Sequence, residues 1–350
     1  MITMRILYTV TNPYGLGADR WMYEGYKNAF ISEGHEFFVV TENDDFQTIL
    51  DDVQPNLLLL DFMAFRRYDH KNRPISPQYF EQVKKKGTRI FAMTATGIDR
   101  EDETPENINF FRAYLPFFDI CFCQFPPETT KNFDTLFGKK MYFIPHAADT
   151  TLFFPERPHD IFKCDIAFVG SLYTSKREQF ERLLFPLMKK YHVKFCGPGW
   201  TFKDKILRPI NGLGRKFKLK KFTQFVNTQR VSITQDDERR LYASAKICVN
   251  IHEYYRDQTI KGYSNEREFK VPASGGFQIS DYIPGMERYF ELGKEIVTVK
   301  SPEEWFFKIE YYLNHEVDRK KIQERGTARV LKEHSYINRV TQLINLYNSI

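Results

Sequence analysis

The chain has 350 residues, enough for two domains that each bury a hydrophobic core. Hydrophobic residues at 42% and charged residues at 27% are typical of a globular protein and exclude a disordered one. The net charge of +6 is concentrated between Lys203 and Lys221, where eight basic residues accompany one acidic residue. Because the rest of the chain is nearly neutral, no nucleic-acid partner is expected.

Five cysteines are scattered in or beside apolar runs, which indicates free buried thiols in a reducing compartment. None has a histidine at metal-ligand spacing, so no metal site is expected. No apolar run approaches the ~20 residues of a membrane-spanning helix. The first apolar run is too short for a signal peptide and lacks a small-residue cleavage site. The sequence therefore predicts a cytoplasmic protein.

The first half of the chain alternates apolar runs with amphipathic segments. Helices are predicted over residues 19–33 and 77–86, and Asp61 marks the end of one strand. Alternating strands and helices predict a parallel sheet with helices on both faces, a Rossmann-like domain over residues 1–150. The predicted strands lie at residues 4–10, 36–40, 54–62, 88–95, 117–123 and 139–146.

A second α/β series begins at Cys164 and predicts another Rossmann-like domain over residues 151–333, joined to the first near residues 145–155. Helices are expected over residues 176–190 and 238–245 and through the last fifty residues, where Ser301 and Glu304 form a capping box. The predicted strands lie at residues 165–170, 193–197, 246–252, 277–280 and 295–299.

Residues 265–282, NEREFKVPASGGFQISDY, predict a helix that begins at a polar cap and ends at paired glycines before a short strand. Asn265 and Glu268 have the spacing of a capping box, and Glu266 and Lys270 are spaced as an i,i+4 ion pair. A helix beginning is suited to a phosphate, which Arg267 would also bind. The glycine pair is Gly275 and Gly276.

Ligands of open α/β sheets bind beyond the carboxyl ends of the strands, which selects further loops. A strand-to-helix turn with two cations suits a diphosphate, although a solvated helix face is the alternative. A glycine-rich turn after the next strand offers backbone edges to a nucleotide base, or is a plain turn. The diphosphate residues are Gly170, Ser171, Lys176 and Arg177, and the base residues are Gly197, Pro198, Gly199 and Trp200.

A general base for an acceptor hydroxyl would be a carboxylate just past a buried strand, and Asp99 is the first candidate. An acidic loop that is merely solvated is the alternative. His35 follows a helix-ending glycine and is expected to be structural. The other candidates are Asp61, Asp102, Glu103, His146 and His252.

The segment at residues 265–282 resembles the C-terminal segment of bacterial glycosyltransferases of the spore-maturation CgeB type, a branch of the GT-B superfamily. The resemblance continues through GMERYF, EIVTV, SPEEW and HSYINRVTQLI and covers roughly the last hundred residues. The matching residues are Arg267, Phe269, Pro272, Ala273, Gly275, Gly276, Phe277, Ser280, Asp281 and Tyr282.

The resemblance implies a GT-B fold, with two Rossmann-like domains facing each other across a cleft. Residues 1–150 would be the acceptor side, residues 151–333 would bind a nucleotide-sugar, and the helix at 334–350 would cross back to the first domain. The loop with Gly15, Gly17 and Asp19 would touch donor phosphate or acceptor, although its G-x-G pattern alone is equally consistent with a flexible turn.

Two positions depart from the pattern of these relatives. Lys270 stands where they usually carry a glutamate that holds the donor ribose, and a lysine cannot accept those hydrogen bonds. Gly262 stands eight residues before Lys270, so the paired acidic motif of the retaining families is absent. Glu268 or another group would have to replace the missing carboxylate.

The expected function is transfer of a sugar from a nucleotide-sugar to a hydroxyl of a glycan, lipid-linked saccharide or protein, without metal or other cofactor. Two alternatives stay open: a non-catalytic nucleotide- or sugar-binding protein, which Lys270 favours, and a GT-B-type nucleotide-sugar epimerase. The basic segment 203–221 has apolar residues between its charges and suits a peripheral contact with anionic lipids at the inner membrane face, or a solvated surface.

Overall fold

The chain forms two compact units in a computed structural model. Among the described residues, the first comprises those up to His146 together with Tyr336–Ile350, and the second comprises those within Ala147–Ser335. The structure describes residues 3–11, 13, 18–69, 75–94, 104–130, 132–172, 176–217, 219–230, 233–252, 254–255, 258–259 and 263–350.

The first unit contains a six-stranded parallel sheet in the order β2-β1-β3-β4-β5-β6, so the strand order reverses between β1 and β3. Its strands are β1 (Arg5–Val10), β2 (Glu36–Thr41), β3 (Leu57–Asp61), β4 (Arg89–Met93), β5 (Ile120–Cys123) and β6 (Met141–Phe143). Its helices are α1 (Ala18–Ser32), α2 (Phe46–Val53), α3 (Phe62–Asp69), α4 (Pro77–Lys85), α5 (Pro105–Tyr114) and α6 (Phe133–Phe137), with α15 (Tyr336–Asn348) at the end of the chain.

Aromatic side chains fill one face of this first sheet. Phe65 packs edge-on against Phe80 and Tyr114, with ring centroids 5.4 and 5.1 Å apart. Phe62 and Phe111 make a similar contact at 4.8 Å. Edge-to-face packing at these distances is favourable beyond the burial of area. Much of the high phenylalanine content therefore serves the core of the first unit.

Helix α15 packs against helix α1 within the first unit. The ring of Tyr336 lies edge-on to that of Tyr26, with centroids 5.1 Å apart. A glycine, Gly25, makes room for it, because an added Cβ would lie 2.2 Å from Tyr336 Cδ2. Arg339 then donates hydrogen bonds to the carbonyls of Pro145 and His146, at 2.9 and 3.2 Å. Helix α15 is thus joined to Pro145 and His146, where the amino-terminal segment of the first unit ends.

The second unit contains a five-stranded parallel sheet in the order β13-β12-β9-β7-β8, which reverses between β7 and β9. Its strands are β7 (Cys164–Val169), β8 (Val193–Cys196), β9 (Ala245–Asn250), β12 (Gln278–Asp281) and β13 (Val297–Val299), beside the small antiparallel pair β10 (Tyr254–Tyr255) and β11 (Gln258–Thr259). Its helices are α7 (Arg177–Leu183), α8 (Phe185–Lys190), α9 (Phe202–Lys216), α10 (Lys220–Arg230), α11 (Gln235–Ser244), α12 (Arg267–Ala273), α13 (Pro302–Asn314) and α14 (Glu316–Glu333).

These two parallel-sheet α/β units confirm the fold class predicted from the sequence. The predicted cap of α13 is also present, because Ser301 Oγ accepts a hydrogen bond from the backbone N–H of Glu304 at 3.2 Å. The single helix expected over residues 176–190 is wrong: it is interrupted at Leu184, and Pro186, which has no N–H, stands in the first turn of α8. Among the helices that the structure describes, none is long and apolar enough to cross a membrane.

Replacing Gly25 by alanine should destabilise the first unit. The added methyl group overlaps the Tyr336 ring, and overpacking of about 1–3 kcal/mol outweighs alanine's higher helix propensity. Hydrogen exchange should become faster in α1 and α15. Gly212→Ala in α9 is the matched control, because its Cβ would meet no atom within 4 Å. Unchanged protection of α15 in the Gly25→Ala variant would contradict this packing.

Candidate functional site

Arg267, the first residue of α12, connects the two strands between which the second sheet reverses. Its guanidinium donates to the carbonyl of Val169, the last residue of β7, at 2.8 Å and to that of Ile251, just past β9, at 3.2 Å. Its Nε donates to the Asn250 side-chain oxygen at 2.9 Å. Ligands of such sheets bind at this reversal, beyond the carboxyl ends of the strands. The sequence-predicted phosphate residue therefore lies where the topology places a ligand.

The surroundings of Arg267 leave part of its guanidinium accessible. Three of its five N–H groups have the acceptors named above, and the side chain is half-buried over the Phe168 ring, with Cζ 4.9 Å from the centroid. An added Cβ on Gly170 would lie 2.2 Å from Nη1. Glycine at position 170 is therefore what allows the guanidinium to occupy this place.

Two loops beyond β7 and β8 are joined next to Arg267. The N–H of Gly170 donates to the carbonyl of Cys196 at 2.9 Å, and the N–H of Leu172 donates to that of Pro198 at 2.8 Å. The indole N–H of Trp200 donates to the Gly170 carbonyl at 2.6 Å. The indole ring packs among phenylalanines. Trp200 thus anchors the loops with its side chain, and the expected contact of this turn with a nucleotide base stays a prediction. The ring contacts are with Phe168, Phe180, Phe185 and Phe195.

The loop after β8 requires glycine at two positions. Gly197 and Gly199 have φ of +122° and +94°, in the region that side chains rarely adopt. A Cβ on Gly197 would also lie 2.4 Å from the Gly170 carbonyl oxygen. The N–H of Gly199 donates to the buried carboxylate of Asp204 at 2.6 Å, and Asp204 pairs with Arg230 at 2.6 Å. These contacts fix the loop that we expected to meet a base.

Glu268 points into the sheet and does not cap its helix. Its side chain is fully buried, and Oε2 accepts hydrogen bonds from Asn250 Nδ2 at 2.5 Å and Ser280 Oγ at 3.1 Å. The predicted capping box is therefore wrong, although Asn265 Oδ1 does accept from the N–H of Arg267 at 3.1 Å. The expected donor contact of Glu268 is also wrong in this structure, because its burial leaves no surface for a ligand.

His252 lies beside Glu268 and is held by two carboxylates. Its Nδ1 is 2.7 Å from Asp281 Oδ1, and its Nε2 is 3.3 Å from Glu268 Oε2. Burial alone would lower the pKa of His252, but the charges and hydrogen bonds of Asp281 and Glu268 raise it to about 9. The imidazole is thus protonated at neutral pH. It cannot serve as the general base that the sequence left open.

Lys270 lies in a buried cluster of charges. Its ammonium is 3.8 Å from Glu266 and 3.9 Å from Glu238 on α11, and it lies 4.8 Å from the centre of the Phe153 ring. The predicted i,i+4 pair with Glu266 is present. A carboxylate at position 270 would lie close to the carboxylates of Glu238 and Glu266 and would be repelled by them. The surroundings of position 270 therefore favour a cation.

The paired glycines lie at the opposite end of α12 from Arg267. Gly275 ends the helix with φ of +76°, and a Cβ on Gly276 would lie 2.8 Å from the carbonyl of Tyr242, near the end of α11 and ahead of the first residue of β9. They therefore lie toward the edge where the strands begin. The prediction that they bind donor phosphate is wrong, and their geometry serves the turn between α12 and β12.

Residues 173–175, which lie in sequence between Gly170-Ser171 and the cations Lys176 and Arg177, are outside the described part of the chain. Arg177 begins α7, is exposed and pairs with Glu181 at 2.7 Å. Lys176 precedes the helix and makes no side-chain cap, and Ser171 is half-buried. The structure therefore brings Gly170 and Ser171 to the site, while donor contacts by Lys176 and Arg177 stay predictions.

Several candidates from the first 150 residues are not described by the structure, or are described only in part. Gly15, Gly17, Asp99, Asp102 and Glu103 lie outside the described residues, and the described part of Asp19 is its backbone, in α1.

Among the described candidates of the first unit, Asp61 and His35 have structural roles. Asp61 accepts from the N–H of Ala64 at 3.1 Å at the start of α3. His35 Nδ1 accepts from the N–H of Met4 at 3.2 Å, and burial lowers the pKa of His35. His146 is buried where Arg339 binds its carbonyl.

Asn250 is the site residue that the sequence prediction missed. Its oxygen accepts from Arg267 and from Asn265, while its amide donates to Glu268. A signal was available, because Asn250 is a polar residue at the carboxyl end of an otherwise apolar strand. Asn250 connects the half-buried Arg267 with the fully buried Glu268.

Residues 177–345, which comprise most of the second unit and the first ten residues of α15, match the model of a family described as glycosyl transferase-like. No curated protein sequence matches the chain. The fold resembles those of solved glycosyltransferases over their full lengths. Sucrose-phosphate synthase from Thermosynechococcus elongatus has a TM-score of 0.64 at 12% identity, with 99% of this chain and 98% of that chain covered.

Two other solved structures were determined with a nucleotide or nucleotide-sugar bound. An alpha-glucosyltransferase in complex with UDP and a 13-mer DNA has a TM-score of 0.65 at 9% identity, with 99% and 100% of the two chains covered. HepE from Anabaena in complex with UDP-glucose has a TM-score of 0.60 at 10% identity, with the same coverage. At these identities the likeness shows the GT-B fold. With the family match, it supports a glycosyltransferase, the enzyme class predicted from the sequence.

The protonated His252 should make stability depend on pH. Because its folded pKa is raised from 6.5 to about 9, its contribution is complete below pH 6.5 and is lost as pH rises toward about 9. The loss amounts to about 3 kcal/mol at most. Urea unfolding at the two ends of this range should show the decline in the wild type and a smaller one in His252→Gln. His315→Gln, which changes an exposed histidine, should keep the full decline; equal slopes in all three proteins would contradict the ion pairs.

Proposed function

We propose that the protein transfers a sugar from a nucleotide-sugar donor to a hydroxyl group of a saccharide-containing acceptor, and that Arg267 binds the donor diphosphate. The observation that carries the proposal is the position of Arg267 at the reversal of the second sheet, with two N–H groups that have no acceptor among the described residues. The UDP and UDP-glucose bound by structural neighbours are consistent with such a donor. Membership of the CgeB-like branch is part of the same proposal.

The chemistry of the site suits a diphosphate leaving group. A guanidinium offers paired, directional N–H groups that match phosphate oxygens. Gly170 and Ser171 lie beside it, and the absence of a side chain at position 170 leaves room for the guanidinium. Charge that develops on the departing diphosphate would be stabilised by a positive group already held in place. A metal ion is not required for this step in the proposal.

The ribose contact must differ from that of the relatives named above. Lys270 has donors only, so it cannot hold the ribose hydroxyls as a glutamate would. Glu268 is fully buried and is unsuited to replace it. The carboxylates nearest to the Lys270 ammonium are Glu238 and Glu266. Glu266 is the more exposed of the two, at 8%, and we assign the acceptor role to it.

Asp99 stays the proposed general base for the acceptor hydroxyl. His252 is protonated, and the Nδ1 of His35 already accepts a backbone hydrogen bond, which removes two of the rivals. A carboxylate in the loop after β4 would lie beyond the carboxyl edge of the first sheet, where ligands of such sheets bind.

A non-catalytic nucleotide-sugar-binding protein is the second candidate function. Lys270 favours it, because the carboxylate that active relatives usually carry there is replaced by a buried cation. The two candidates differ in one measurement: only the transferase releases free nucleoside diphosphate when an acceptor is added.

Arg267→Ala should weaken binding of UDP and UDP-glucose by roughly 10- to 100-fold, the effect of losing hydrogen bonds to a charged group. Arg267→Lys should recover part of the affinity, because the charge is kept but the fork is lost. Gly170→Ala should act in the same direction by displacing the guanidinium. Calorimetric titration measures the affinities, and circular dichroism checks folding. Arg157→Ala, an exposed arginine of the same unit, is the control. Unchanged affinity in both site variants would place the diphosphate elsewhere.

Asp99→Asn should lower the rate of sugar transfer by about 10²- to 10⁴-fold while leaving donor affinity unchanged, as expected for loss of a general base. The measurement is release of UDP from UDP-glucose with a mixed saccharide acceptor pool. Asp102→Asn in the same loop is the matched control and should retain activity. A wild type that binds the donor but never releases UDP would support the binding protein instead.

A further inference from the structure

The hairpin of α9 and α10 presents its apolar residues to solvent. Helix α9 turns the side of Asp204, Leu207, Asn211 and Gly214 toward α10. These residues follow one another by three or four positions, so they form one face of the helix. The face that a surface helix buries is usually its apolar one. In α9 the buried face is mostly small or polar, which leaves the apolar side chains for the opposite face.

That opposite face carries a row of large apolar side chains. Phe202, Ile206, Leu213 and Phe217 are 78, 49, 55 and 65% exposed. Their spacings of four, seven and four residues place them along one stripe. The stripe continues past the turn between the helices, where Leu219 is 52% exposed. Contiguous exposed apolar patches that are rimmed by polar groups mark interaction sites.

Basic side chains border the stripe on both sides. Lys203 lies on one side, and Lys205 and Lys216 lie on the other, all exposed. The acidic residue within α9, Asp204, is buried and paired with Arg230, so it does not offset these charges at the surface. The outer face of α9 is therefore apolar along its centre and positive along its edges.

The hairpin is held in shape before anything binds to it. Asp204 and Arg230 join the open ends of the two helices at 2.6 Å. Asn211 Nδ2 donates to the carbonyl of Thr223 at 3.3 Å. A Cβ on Gly214 would lie 2.8 Å from Thr223 Oγ1, so the helices approach closely near the turn. Docking would need little further ordering, which lowers its entropic cost.

We propose that the α9–α10 hairpin docks on a membrane surface that contains anionic lipids. The apolar stripe would enter the boundary between headgroups and acyl chains, and the flanking lysines would contact lipid phosphates. Charge complementarity selects an anionic surface. A nucleic-acid backbone would need cations at the centre of the face, where this chain has phenylalanine and leucine. The proposal does not depend on the sugar-transfer reaction.

The test is co-sedimentation of the full chain with vesicles of phosphatidylcholine, with and without phosphatidylglycerol. The wild type should bind only the anionic vesicles, and less at high salt. Lys203→Glu with Lys205→Glu should reduce the partition coefficient by at least about 30-fold. Phe202→Ser with Ile206→Ser and Phe217→Ser should remove the binding that persists at high salt.

Matched controls separate the hairpin from general charge and hydrophobicity. Lys189→Glu with Lys321→Glu changes two exposed lysines elsewhere on the chain. A triple replacement by serine of other highly exposed apolar residues should leave binding unchanged. The triple control uses Ile161, Phe307 and Val317. Circular dichroism confirms that each variant is folded.

Three results would overturn the proposal. The first is failure of the wild type to bind anionic vesicles, or an equal loss in controls and hairpin variants. The second is unchanged vesicle binding by hairpin variants that lose affinity for a short DNA duplex or RNA, which would assign the surface to nucleic acid. The third is self-association of the wild type, by sedimentation velocity, that the hairpin variants abolish without losing vesicle binding.

Discussion

One guanidinium ties together the ends of the strands between which the second sheet reverses. Arg267 donates hydrogen bonds to backbone carbonyls at the carboxyl ends of both β7 and β9. These bonds fix the separation of the loops that follow the two strands. The same helix turns its next residue, Glu268, inward to Asn250, Ser280 and His252. Each buried charge of this network has an opposite partner, which offsets its desolvation. The outer arginine can therefore face a ligand from a rigid base.

The alternation of apolar runs and amphipathic segments was sufficient to predict both sheets. Runs such as LLLLD at Leu57–Asp61 are buried on both faces and leave little ambiguity. Short helices such as α2 and α6 were missed, since eight or five residues give a weak periodic signal. The α9–α10 hairpin was missed for another reason: its apolar residues point outward, so the pattern of a core-facing helix is absent.

The site was only partly predictable because side-chain direction depends on packing. Arg267 could be inferred from its place in the sequence, but Glu268 one residue later has the opposite orientation. His252 and Asp281 are 29 positions apart in the sequence, so no local sequence pattern predicts their ion pair. Trp200 belongs to a turn that was expected to offer backbone edges to a nucleotide base. No pattern in the sequence indicated that its ring packs on neighbouring phenylalanines or that its N–H donates to a backbone carbonyl.

Helix α15 has a consequence for how the chain acquires its structure during translation. The residues against which it packs, Gly25 and Tyr26, emerge from the ribosome early, whereas Tyr336 emerges only after the entire second unit. Domains of growing chains generally fold from the amino terminus onward. Helix α1 of the first unit therefore stays uncovered until Tyr336–Asn348 has been synthesised. The second unit, whose described residues lie within the single segment Ala147–Ser335, can complete its core first.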